Sequence, residues 1–140
     1  MRVWRTSLLF AVLAVALAVV LRSEGSPGAA ALVAAVLLAL AIGYSPLIYP
    51  AHVPATVAQA SGRPVVYWRP GCPFCLRLRL SLIGRAGQAS WVNIWQDPDG
   101  AAAVRAVANG NETVPTVVLP SAGAHVNPAP AWLRKQLTNR

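Results

Sequence analysis

The sequence predicts a two-helix membrane hairpin followed by one small α/β domain. Two long uncharged runs occupy most of the first 49 residues. Most of the charge lies from Arg63 onward, as nine basic and three acidic residues. In that second part, short β-branched and aromatic runs alternate with helix-start signals. Apolar residues make up 56% of the chain and charged residues 11%, against about 25% charged in an ordinary soluble domain. That balance excludes a disordered chain and argues against an ordinary soluble monomer.

The first run, Thr6–Leu21, is extended by Val3 and Trp4, and Arg2, Arg5 and Arg22 can snorkel from its ends. The second goes from Gly25 to Tyr49 and exceeds the ~20 apolar residues a span requires. Arg22–Pro27 reads as a tight turn. The expectation is a hairpin over residues 1–49, with helices at about 4–22 and 28–49 packed antiparallel. A cleaved signal peptide is the competing reading of the first run, and the second span returns the chain to the same side either way. Arg2, Arg5, Arg63 and Arg69 flank the open end of the hairpin, with Trp4, Tyr44 and Tyr49 beside them, while Arg22 alone sits at the tip. The positive-inside rule then puts both termini and the C-terminal domain on the cytoplasmic side of the cell membrane. Ala35, Ala39 and Gly43, beside Ala34, offer small residues four apart, a packing face within the hairpin or between copies. Residues 50–62 carry no charge and read as a linker, or as a turn of interfacial helix over Ala55–Ala60.

The domain at 63–140 reads element by element. Pro64–Trp68 is a buried strand and Pro70–Gly71 a turn. Pro73 suits the first turn of a helix. Leu76–Ala86 alternates like a strand, but its length and the proline favour a helix burying Leu76, Leu80 and Ile83. Trp91–Trp95 is a second strand. Asp97-Pro98-Asp99 opens a helix over Ala101–Ala108 that stops at Asn109–Gly110. Pro115–Leu119 is a third strand, and His125–Val126 pairs with it through a turn at Ser121–Gly123. Pro130–Thr138 closes as an amphipathic helix with Trp132, Leu133 and Leu137 inward. The order is β-α-β-α-β-β-α, with the first two strands parallel through a right-handed crossover.

The only cysteines, Cys72 and Cys75, stand three apart at a strand-to-helix junction. Unpaired amides and the helix dipole favour an anion at that end. Cys72 is therefore the expected exposed nucleophile and Cys75 the more buried resolving thiol, with Arg69 adding positive charge. Inert buried cysteines are the alternative. A zinc site needs four ligands, and His52 and His125 have no suitable spacing to the pair, so no metal is expected.

Tyr67-Trp68-Arg69-Pro70-Gly71-Cys72-Pro73-Phe74-Cys75 resembles the glutaredoxin signature of Tyr, any residue, Lys, Pro, any residue, then Cys-Pro-Tyr-Cys. Thr113-Val114-Pro115 resembles that family's Thr-Val-cis-Pro segment, forty residues after Cys75. The resemblance implies a thioredoxin-like fold for 63–140 and says nothing of the hairpin. It implies that Cys72 attacks a disulfide or mixed disulfide and Cys75 resolves it. It further implies a substrate-binding set of Arg69, Pro73, Phe74, Thr113, Val114 and Pro115. In that set Arg69 meets a carboxylate or the thiolate, and the Val114 backbone pairs with a peptide-like portion of a bound thiol. Phe74 replaces the family's Tyr.

Where glutaredoxins carry Gly-Gly and then Ser/Cys-Asp, this chain has Val126-Asn127-Pro128-Ala129-Pro130. The tail is similar to the actinobacterial mycoredoxin-like branch. The co-substrate implied is a low-molecular-weight thiol, mycothiol or glutathione, with no tightly bound cofactor. The partners implied are disulfide-bearing membrane or cytoplasmic proteins. A non-catalytic membrane redox sensor and an extracytoplasmic oxidant or reductant remain as alternatives. Asn111-Glu112-Thr113 matches a glycosylation acceptor by chance on a cytoplasmic reading. Arg77, Arg79 and Arg85 form a basic face, solvated or drawn to anionic lipid. No aromatic-basic interleaving points to nucleic acid.

Overall fold

The computed structural model describes residues 4–138, and the chain divides into one compact unit ending at Ile48 and a second beginning at Tyr49. Arg2, Val3 and Arg140 lie outside the described residues.

The first unit is a pair of helices, α1 (Arg5–Ser23) and α2 (Pro27–Gly43). Their three-residue connection contains Gly25 at φ 78°, a left-handed conformation that glycine adopts without steric cost. Phe10, near the start of α1, stacks on Tyr44, just past the end of α2, with ring centroids 5.6 Å apart, so the helices run antiparallel. By length and composition α1 can cross a membrane, whereas α2 is a shorter apolar helix of 17 residues. The expected helix to Tyr49 is thus too long. Pro46 has no amide to continue the ladder, and the Ser45 hydroxyl donates to the Ile42 carbonyl at 2.7 Å, leaving only a single turn at Pro46–Ile48. The pairing face is also not the expected one. Ala30 and Ala41 are buried and Ala34 and Leu37 half-buried, while Ala35 and Ala39 are exposed. A strict spacing of four drifts by about 40° per step on a 3.6-residue helix, whereas alternating steps of four and three hold one face.

The second unit is built on a four-stranded sheet in the order β2-β1-β3-β4. Its strands are β1 (Val65–Trp68), β2 (Ser90–Asn93), β3 (Thr116–Leu119) and β4 (Gly123–Val126). β1 runs parallel to β2, with Val66 opposite Trp91, and antiparallel to β3, with Val66 opposite Val117. β4 returns antiparallel beside β3. The helices are α3 (Ala55–Ala60), α4 (Pro73–Ser81), α5 (Pro98–Val107) and α6 (Pro130–Thr138). From β1 onward the expected β-α-β-α-β-β-α order is present, and this mixed sheet with its helices fits a thioredoxin-like α/β fold. Every residue of β1 and β2 is buried, as strands covered on both faces must be. α4 packs with α6 and α3 with α5. Gly100 of α5 is a close approach, since a Cβ there would lie 2.7 Å from Val92 Cγ1.

Three expectations are corrected in this unit. Residues 50–62 are not a linker leaving the surface but a strap sealing the β2 edge of the sheet. The Val53 amide donates to the Trp91 carbonyl at 3.0 Å, and the Asn93 amide donates to His52 Nδ1 at 3.1 Å. The Ala55 amide donates to Asp97 at 2.7 Å, Gln59 donates to the Tyr67 hydroxyl at 2.9 Å, and Ala55 and Ala58 are buried. Tyr49 stacks on Trp68 with centroids 3.7 Å apart. An edge strand's free backbone groups need such cover, and this otherwise uncharged segment supplies it. Second, α4 ends at Ser81 and turns Cys75, Leu78 and Leu82 inward, leaving Leu80 53% and Ile83 73% exposed. Its phase is set by Cys75 and follows steps of three and four. Third, β2 stops at Asn93, whose side-chain oxygen takes the Trp95 amide at 3.0 Å and turns the chain. On α6, Leu133 and Leu137 are buried, while half-buried Trp132 lies against His125 at 4.2 Å between rings.

Candidate active site

β1, one of the two inner strands, delivers the site. Beyond Trp68, the chain turns through Arg69–Gly71, with Gly71 at φ 78°, and enters α4 at Cys72. Cys72 is the N-cap, with extended backbone, and Pro73 occupies the first helical turn, where a missing amide costs no helical bond. The Cys72 Sγ accepts the Cys75 amide at 3.3 Å and, as a thiol, donates to the Val114 carbonyl at 3.4 Å. The two sequence motifs, forty-two residues apart at Cys72 and Val114, therefore meet at one sulfur atom. The Val114–Pro115 peptide bond is cis. Both cysteines are free and Cys75 is fully buried as expected, but Cys72 is not the exposed thiol the sequence suggests: it is only 7% exposed, because its sulfur is tucked between the Cys75 amide and the Val114 carbonyl.

Their acidities separate. The Cys75 thiol hydrogen-bonds the Cys72 sulfur and is the largest influence holding the Cys72 pKa down to about 6 from 9.0. Burial opposes this, while the amides of Cys75 and Phe74 and the charge of Arg69 assist. Cys75 is pushed strongly upward, first by burial and then by its neighbour Cys72. One thiol is thus an anion near neutrality, and the other remains a proton donor to it. This ordering matches a nucleophile followed by a resolving thiol.

A cleft of about 520 Å³ opens beside Cys72. Of the expected residues, Arg69, Cys72, Pro73, Phe74, Thr113 and Val114 line it. Cys75 lies behind Cys72, and Pro115 is buried at the start of β3. The Thr113 carbonyl accepts the Thr116 hydroxyl at 2.8 Å, which fixes the segment carrying Val114. Asn111, Glu112 and Asn127 also line the cleft. The sequence reading named none of them as site residues, although Asn111 and Glu112 directly precede Thr113. Asn127 stands at φ 47° and its amide donates to the Pro115 carbonyl at 2.8 Å, which ties the end of β4 to the site. Glu112 forms an ion pair with Arg105 of α5 at 2.5 Å.

The basic residues after the cysteines do not form a single free face. Arg85 lies beyond α4 and bonds the Thr138 hydroxyl, and Arg134 of α6 grips the Ser81 carbonyl at 2.9 and 3.1 Å. Neither histidine approaches the cleft lining; His52 holds the strap and His125 meets Trp132.

Residues 65–125 match the family model described as Glutaredoxin. The match spans both motifs, so this part of the chain is similar to a family of thiol–disulfide oxidoreductases. No curated protein matches the chain.

Proposed function

We propose that the chain is a membrane-anchored, cytoplasm-facing thiol–disulfide oxidoreductase of the mycoredoxin-like type. It reduces disulfides, or mixed disulfides with a low-molecular-weight thiol, on membrane or cytoplasmic proteins. The observation that carries this reading is the Cys72 sulfur at the N-terminus of α4, backed by the Cys75 thiol and set against the Val114 backbone. The anchor is α1, whose 19 residues are apolar between Leu8 and Leu21, with Leu8, Leu9, Val12, Val15 and Val19 exposed, paired with apolar α2.

The reaction begins with the Cys72 thiolate attacking one sulfur of a disulfide R–S–S–R′. A Cys72–S–S–R′ bond forms, the S–S bond breaks, and R–S⁻ leaves to take a proton. Cys75, once it gives up its proton, attacks Cys72, forms the Cys72–Cys75 disulfide and releases R′–S⁻. Two electrons have passed from the dithiol to the substrate, and two equivalents of a thiol reductant restore it. In the monothiol route a small thiol replaces Cys75 in the second step. Arg69 stabilises the attacking thiolate or a carboxylate of the bound thiol. The Val114 backbone, on the cleft wall, is placed to pair with an amide of that thiol. The Val126–Pro130 segment lacks the acid and hydroxyl of the glutathione-binding pattern, which favours mycothiol over glutathione.

The test compares the full chain with its Cys72→Ser variant in cells producing the thiol. Reduction of a small mixed disulfide must disappear in the variant, and a membrane-impermeant maleimide must leave wild-type Cys72 unlabelled until the cells are permeabilised. Activity retained by the variant refutes the mechanism, and labelling of intact cells refutes the cytoplasmic placement.

A further inference from the structure

The most exposed large apolar side chain described in the second unit stands just past the end of α4. Ile83 is 73% exposed. It lies at the tip of a turn closed by the Arg85 amide on the Leu82 carbonyl at 2.9 Å, and Gly84 follows at φ 79°. Its own amide donates to the Leu80 carbonyl at 3.3 Å, so exposed Leu80 is its neighbour. Exposed Arg77 lies three residues before Leu80, on the same side of the helix. Contacts with α6 hold two more cations here. Arg134 donates from Nε and Nη2 to the Ser81 carbonyl at 3.1 and 2.9 Å, and Arg85 donates to the Thr138 hydroxyl. Both acceptors are neutral, so neither bond cancels a guanidinium charge. No Asp or Glu occurs from Arg63 to Gln96 or after Glu112, so α4, the turn and α6 carry no acidic side chain.

We propose that this end of the unit docks on an anionic lipid bilayer. Ile83 and Leu80 enter the boundary between headgroups and acyl chains, and Arg77, Arg85 and Arg134 meet lipid phosphates. Buried apolar area and attraction to anionic lipid together hold such amphipathic surfaces on a membrane, and guanidinium groups are suited to phosphate oxygens. Single-stranded nucleic acid is bound on aromatic platforms, whereas this tip is aliphatic. None of the five residues lines the cleft beside Cys72, so the surface is distinct from the redox site. The inference goes beyond the redox reading and rests only on its anchoring by α1 and α2, which keeps a bilayer within reach. Leu80 stands eight residues beyond Cys72, about 12 Å along a helix at 1.5 Å per residue. Whatever the tilt of α4, docking therefore keeps Cys72 close to the headgroup layer and to disulfides of juxtamembrane segments.

The experiment uses the full chain with Cys72→Ser, Cys75→Ser and Ile83→Cys, bearing a bimane label on residue 83. It is reconstituted in nanodiscs of phosphatidylcholine alone or mixed with phosphatidylglycerol, with and without a lipid carrying a nitroxide quencher. In the anionic discs the emission shifts to the blue and the nitroxide quenches it; in the neutral discs both effects are lost. Arg77→Glu changes two elementary charges, each about a fivefold factor, so the ratio of docked to undocked chain falls roughly thirtyfold in anionic discs. Arg77→Lys keeps the charge and stays docked. Equal quenching in both kinds of disc, or none in either, overturns the proposal, as does equal quenching of the Arg77→Glu and Arg77→Lys chains. A blue shift that the nitroxide does not quench shows that a protein surface, such as a second copy, covers the tip, and overturns it too. Failure of the anchoring has a different signature, because the chain then does not copurify with neutral discs. The thiol chemistry plays no part in the readout.

Discussion

The acidity of Cys72 is set first by the thiol of Cys75 and only then by the helix end, which gives a prediction with a sharp control. In the reduced wild type a pKa of about 6 makes Cys72 roughly 90% thiolate at pH 7, against about 1% for a thiol at 9.0. Cys75→Ala deletes the donor. A hydrogen bond to a charged group contributes ~1.5–3 kcal/mol, and 1.36 kcal/mol is one pKa unit, so the Cys72 pKa rises to about 7–8. Cys75→Ser keeps a donor at the same place and leaves the pKa near its wild-type value. The assay is the ultraviolet absorbance of the thiolate, or the rate of iodoacetamide alkylation, against pH. At pH 6 the alanine variant must alkylate about five- to fiftyfold more slowly than the serine variant, from the thiolate fractions those pKa values imply. Equal pKa values in the two variants would show that the α4 amides and Arg69 hold the thiolate without the Cys75 thiol, and would refute the assignment. The sign for stability follows from the lowered folded pKa. Ionised Cys72 stabilises the reduced fold above the ordinary thiol range, and this contribution is lost as pH falls through about 6.

Asp97→Asn should destabilise the domain by about 1–3 kcal/mol in urea unfolding, because the carboxylate takes amides from both Gly100 and Ala55 and an amide group offers only one acceptor. Burial raises the Asp97 pKa, but those two amides and His52 outweigh it and hold it below the usual carboxylate value. The wild-type advantage is therefore present above pH ~4 and disappears as pH falls through the lower folded value, so the two proteins converge in acid. Gly100→Ala should cost about 1–3 kcal/mol by overpacking, read as a lowered thermal midpoint, because its Cβ meets Val92 at 2.7 Å; an unchanged midpoint would mean that α5 is free to slide away from β2.

The redox pair was legible in the sequence because its chemistry is local. Cys72, Pro73 and Cys75 lie within one helical turn, and an N-cap sulfur meets the Cys75 amide wherever such a helix begins. The strand order was legible for the same reason: β-branched runs and turn residues mark each element, and short connections leave few topologies. The face of α4 was not, because Leu76, Leu78, Leu80 and Leu82 are equally apolar. Only the sheet beneath them selects Leu78 and Leu82.

The sequence by itself determined the apolar N-terminal helices, the α/β order, and the nucleophile at a helix end, since each depends on residues near one another in the chain. The tertiary structure alone decided that residues 50–62 are a strap on the sheet edge. No pattern in an uncharged, proline-broken segment announces hydrogen bonds to Trp91, Asn93 and Asp97 some forty residues away. It alone also brought Glu112 and Asn127 into the lining of the cleft beside Cys72, because a cleft is formed by loops converging from separate strands, and that convergence is a property of the fold rather than of any stretch of sequence.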